Sequence, residues 1–77
     1  MRPFLRFKEG KALIKVNGVS LEGVDGLTLE SYLLKEGYTI SRVASELNGS
    51  IVSKSLYKEI ILKDGDSLEV VSFVGGG

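Results

Sequence analysis

The sequence predicts an α+β fold of the β-grasp kind, a mixed sheet of four to five strands with one main helix packed on one face. Three observations carry this. Apolar residues alternate with a period of two near both ends of the chain, one stretch between them switches to a helical period, and Asn-Gly and Asp-Gly pairs fall where the alternating segments must turn. A hairpin, a crossover helix and later strands on one small sheet then follow from element order.

The first strand is read from "ALIKVNG". Ala12, Ile14 and Val16 share one parity against Leu13, Lys15 and Asn17, the pattern of a half-buried strand. Asn17-Gly18 supplies the pair that tolerates the left-handed region in a tight hairpin turn. Val19 and Leu21 follow on one parity with Ser20 and Glu22 on the other, giving a short antiparallel partner. In "VDGLTLESYLLKEGYT" the period changes. Leu29, Tyr32, Leu33 and Glu36 fall on one helical stripe, Thr28 can cap the N-terminus, and Gly37 can end the helix in the left-handed conformation.

The next strand comes from Val43, Ser45 and Leu47, and Asn48-Gly49 turns the chain into Ile51 and Val52. "SKSLYKE" has no clean period and is read as an irregular or single 3₁₀ turn. "IILKDGDSLEVVSFV" holds a brief apolar run, an Asp64-Gly65-Asp66 turn and a final strand from Ser67 to Val74.

That last strand presents Leu68, Val70, Ser72 and Val74 on one parity and Glu69, Val71 and Phe73 on the other. Burying Glu69 without a partner is costly, so the first set is expected to face the core and Val71 and Phe73 to face outward. The same logic turns Leu13 outward. Leu13, Val71 and Phe73 are therefore candidates for a docking patch on the uncovered face, the alternative being that they pack under a loop or under the N-terminal segment.

The chain of 77 residues is read as residues 1–11, an N-terminal extension expected to be mobile; 12–74, the β-grasp domain; and 75–77, a flexible glycine tail. It contains no cysteine and no histidine, so disulfides, the usual zinc ligands and a cysteine-ligated iron–sulfur cluster are all excluded, and no metal site is expected. The commonest nucleophile and general base are missing too, which argues against a side-chain enzyme. Net charge is zero, giving no general attraction to nucleic acid. No apolar run approaches a membrane span or a signal peptide, and a cytoplasmic location is the expectation. Residues 1–11 carry +3 and residues 12–77 carry −3, which reads either as an acidic body steered to a basic partner or as ordinary solubility.

The sequence ends on Gly75-Gly76-Gly77. Such a leash has no side chains and can enter a channel that alanine would obstruct, and its reactive group is the terminal carboxylate. A carboxylate is a poor electrophile, but as an acyl-adenylate it has a leaving group that a sulfur nucleophile can displace. The bland alternative is a glycine-rich end with no function.

"ELNGSIV" and "LKDGDSLEVVSFVGGG" closely resemble the thiamine-biosynthesis sulfur-carrier family, with its "LNG" hairpin, "DGD" turn and "FVGGG" ending; the resemblance runs from about Leu13 to Gly77. It implies that an E1-like adenylating enzyme uses ATP to activate the Gly77 carboxylate. Conversion to a thiocarboxylate follows, with sulfur from a donor such as a cysteine desulfurase, and thiazole synthase receives it. Gly76 would complete the required pair, while Gly75, Val74 and Phe73 would lie along the partner's channel. The carrier itself would bind no cofactor and act as a protein co-substrate, a monomer when free. The last ten residues also resemble the end of ubiquitin, where the residue matching Val71 belongs to an exposed recognition patch. Ser53-Lys54 and Ser72 depart from the family's frequent Pro-Arg and His, and residues 1–11 have no family counterpart. Three other readings stay open: the small subunit of molybdopterin synthase, a ubiquitin-like modifier, and a passive interaction module.

Overall fold

A computed structural model describes residues 11–73. The expectations for residues 1–10, for Val74 and for Gly75–Gly77 lie outside the described residues. Strands β1 (Leu13–Val16) and β2 (Val19–Glu22) form the first hairpin, followed by helix α1 (Leu29–Lys35). A 3₁₀ turn at Ile40–Arg42 leads to β3 (Val43–Leu47) and β4 (Ser50–Ile51). A second 3₁₀ turn at Lys54–Leu56 precedes the last strand, β5 (Ser67–Ser72).

Among the described residues these strands make a five-stranded sheet in the order β2-β1-β5-β3-β4. Strand β5 enters the centre, parallel to β1 through Lys15↔Ser67 and Val16↔Leu68 and antiparallel to β3 through Val43↔Ser72 to Leu47↔Leu68. The sheet is mixed, as predicted, because the helix carries the chain from one side to the other before the later strands pair.

Seven residues are too few for a helix to persist on propensity. Packing holds α1: Leu29, Tyr32 and Leu33 are buried against Ile14, Val16, Val43, Leu68 and Val70 from the sheet. The N-terminal amides are each satisfied. Ser31 N donates to Thr28 Oγ1 at 3.0 Å, Leu29 N to the Ile60 carbonyl at 2.8 Å and Glu30 N to the Tyr57 carbonyl at 3.0 Å. Gly37 follows the helix at φ 90°, the left-handed end its position predicts.

The connection after β4 therefore does more than link strands. It brings Tyr57 and Leu62 into the core, with Tyr57 among the largest fully buried side chains. Sequence reading assigned "SKSLYKE" a turn, which is correct, but a segment without a period gives no parity from which to see Tyr57 inside. Two strand-end expectations also change. Val19 is exposed, on the edge strand beside the hairpin turn, and Ser72 is exposed although it shares parity with buried Val70.

Candidate functional site

The site begins with how β5 is held, since this strand leads to the glycines. Asn17 adopts φ 48° in the first hairpin turn, and its side chain continues β1 in place of backbone: Val70 N donates to Oδ1 at 2.8 Å, and Nδ2 donates to the Val70 carbonyl at 3.3 Å. Asn48, at φ 52° in the second turn, accepts from Ser67 N at 2.8 Å and donates from Nδ2 to Asp66 Oδ1 at 3.0 Å. Both turn asparagines thus serve the last strand as well as their own turns.

Asp66 is almost fully buried. Burial pushes its carboxyl upward, but hydrogen bonds from the Lys63 and Asn48 side chains, the Lys63 backbone amide and the Lys63 charge outweigh this and hold it below the usual carboxylate range. The Lys63 Nζ to Asp66 Oδ1 distance is 2.8 Å, and Lys63 N donates to Oδ2 at 3.0 Å. Asp64 Oδ1 accepts from Leu13 N at 2.9 Å, tying the same turn to the start of β1. The "DGD" motif is therefore a clamp at the entrance to β5. On the helix side, burial first, then the nearby charges of Glu36 and Tyr38, raise the Tyr32 phenol.

The parity of β5 is as expected. Leu68 and Val70 are buried, whereas Val71 and Phe73 are 57% and 53% exposed on the face away from the helix. Across the sheet, register brings Ala44 opposite Val71, Glu46 opposite Glu69 and Ile51 opposite Glu46. Ala44, Glu46, Ile51, Glu69 and Val71 border a shallow depression of about 240 Å³. Leu13 does not join this patch. It faces outward too, but its level on β5 is near Gly65, and the six residues from there to Val71 span about 20 Å. Parity predicted the face and could not supply the level.

The last described backbone bond of β5 runs from Phe73 N to the Arg42 carbonyl at 2.7 Å. Of the predicted site, Val71 and Phe73 lie together at this end of the sheet. Ala44, Glu46 and Ile51 were missed, and only pairing register could have found them. Among the described residues, no three His, Cys, Asp or Glu side chains gather as ligands for a metal ion, and no helix is long and apolar enough to cross a membrane.

Among the described residues, a mixed sheet with the last strand central, one helix on one face and no element over the other define a ubiquitin-like β-grasp domain. Residues 14–77 match the ThiS family model, and the chain belongs to the ThiS family. The crystal structure of thiamine biosynthesis protein ThiS from Geobacter metallireducens is similar with a TM-score of 0.67 and 29% identity, over 84% of this chain and 99% of that one. The chain is also 39% identical over 64 residues to a thiazole synthase of Magnetococcus marinus and 40% identical over 62 residues to one of Paramagnetospirillum magneticum. These alignments cover 83% and 80% of this chain but 20% and 19% of the synthases, so it spans about a fifth of their length. This family match agrees with the resemblance drawn from the turn and tail motifs.

Proposed function

We propose that this chain carries sulfur to thiazole formation on the carboxylate of Gly77. An E1-like enzyme directs that carboxylate onto the α-phosphorus of ATP, releasing pyrophosphate and leaving an acyl-adenylate. A persulfide sulfur from a donor such as a cysteine desulfurase then displaces AMP, and a thiol reduces the acyl disulfide so formed to the thiocarboxylate. The resulting thiocarboxylate delivers its sulfur to thiazole synthase and returns as the carboxylate. The β-grasp body contributes recognition and the tail contributes reach, so the carrier is a co-substrate with no bound cofactor.

The observation that carries this reading is the family match, which extends through the glycine tail. Likeness to a segment of two proteins called thiazole synthase favours the thiazole branch over molybdopterin synthase. Gly75, Gly76 and Val74 are assigned to the partner's channel, with Phe73 and Val71 at its mouth.

The test is the intact mass of protein isolated with its native sulfur machinery, before and after alkylation. A gain of about 16 Da, sulfur replacing oxygen, together with alkylation in a chain that has no cysteine, supports the thiocarboxylate. Conjugates to lysine that survive denaturation and reducing agent would instead support a ubiquitin-like modifier. No loading with purified adenylating enzyme, ATP and a sulfur source would overturn the carrier reading.

A further inference from the structure

The open sheet face and the residues that precede β1 carry complementary patterns. On the face, Glu46 and Glu69 are direct cross-strand partners, a spacing at which like charges repel. Further along β5 toward its end, Val71 and Ala44 are also partners, and they border the shallow depression together with exposed Ile51. At the other end of the same face, Lys11 meets Glu22 at 3.6 Å, and Glu22 pairs with outward-facing Leu13. The ten residues before Lys11 therefore join the body at the foot of this face. In "MRPFLRFKEG" the residues Arg2, Phe4, Arg6 and Lys8 share one parity, so an extended segment turns one aromatic ring flanked by cations to a single side.

We infer that residues 1–10 cover this face in the free protein, with Phe4 in the Ala44–Val71 depression and Arg6 over the Glu46–Glu69 pair. Length permits it. Lys15 is level with Ser67 on parallel β5, so Lys11, four residues earlier, stands about six positions, about 20 Å, short of Glu69. Ten extended residues span up to about 33 Å, enough to turn back at Gly10 and run the height of the face. Counted back from Lys11, Arg6 then comes within about one position of Glu69, and Phe4 within about one of Val71. Charge selects this occupant: residues 1–11 carry +3 and residues 12–77 carry −3, so a second copy of the body brings more acid to the two carboxylates, whereas a guanidinium above them relieves their repulsion. Tethering holds the segment at a local concentration of about millimolar order, so a weak contact suffices. Only the consequence rests on the carrier reading: with Val71 at the mouth of the partner's channel, the segment shields the carrier until an enzyme displaces it.

The chain has no cysteine, so a single one introduced by Pro3→Cys can carry a nitroxide, and the test reads the broadening of backbone amide resonances in the free, full-length protein. Broadening should concentrate at Ala44, Glu46, Ile51 and Val71 and weaken as salt is raised. It should be lost in Arg6→Glu and regained when Arg6→Glu is combined with Glu69→Lys, which restores the opposite charges. Broadening spread evenly over the body, or centred on α1, would overturn the inference, as would an Arg6→Glu chain that keeps the original pattern. So would broadening that appears only between a nitroxide-bearing copy and a separate isotope-labelled one, which would make a second copy the occupant. With the purified adenylating enzyme, Arg6→Glu should bind at least about threefold tighter than the unaltered chain, because the face is no longer covered for part of the time. Equal or weaker binding would overturn the shielding role. Failure here is separable from failure of the carrier reading: the nitroxide measurement needs no enzyme, whereas loading that survives deletion of Gly76–Gly77 would sink the carrier and leave that measurement untouched.

Discussion

At the scale of single residues, the sheet's last strand depends on three polar side chains that a hydrophobicity pattern does not rank. Asn48→Gly keeps a residue suited to φ 52° while deleting both side-chain hydrogen bonds, so its effect isolates those bonds. We expect a loss of about 1–3 kcal/mol in urea unfolding; an unchanged midpoint would show that the turn conformation alone matters. Asp66 makes a prediction in pH. Its carboxyl is held low when folded, so it contributes stability above the ordinary carboxylate range, and that contribution is lost as pH falls through the depressed folded value. Unfolding followed from neutral to acid pH should show Asp66→Asn well below the unaltered chain at neutral pH, with the gap narrowing toward acid. A gap that stays constant would contradict the role of ionisation. The sequence showed Asn17, Asn48 and Asp66 as turn residues, correctly. That the two asparagine side chains also reach β5, and that Asp66 in turn holds Asn48, was not legible, since Asn17 and Val70 are far apart in the chain and meet only in the sheet.

At the scale of elements, the helix is the part most fully legible. Of the stripe read from spacing, Leu29, Tyr32 and Leu33 are buried and Thr28 is the cap, because the helical period is local, whereas Glu36 is the exposed C-cap. Leu33→Ala should cost about 2–5 kcal/mol in chemical unfolding, as a buried truncation against a close-packed sheet. Thr28→Ala should cost about 1 kcal/mol, through the one hydrogen bond to Ser31 N. If the two losses were equal, capping rather than burial would be holding the helix. The connection containing Tyr57 is the opposite case. Its backbone carbonyls close the helix N-terminus and its ring fills the core, yet its sequence has neither the period of a strand nor that of a helix.

At the scale of the whole molecule, folding and chemistry are expected to separate. The described core is complete without Gly75–Gly77, so Gly77→Ala should leave the melting temperature unchanged while sharply reducing thiocarboxylate formation, followed by mass. Loading at the unaltered rate would contradict the narrow-channel account. Val70→Ala should do the reverse, lowering stability by about 1–3 kcal/mol with tail chemistry intact while folded. Val71→Asp lies between them: one strand position from Val70 but on the open face, it should fold normally and bind the adenylating enzyme poorly.

Sequence by itself determined the strand parities, the helix and its cap, both Asn-Gly turns, and a glycine tail whose motifs match the ThiS family, because each depends on neighbours a few residues apart. Only the tertiary structure decided which outward residues share a patch. It removed Leu13, about 20 Å along the sheet from Val71, and added Ala44, Ile51 and the facing carboxylates of Glu46 and Glu69. The physical reason is register: side-chain parity is fixed within a strand by the pleat, whereas the level at which one strand meets another is set by turns, clamps and packing across the whole sheet.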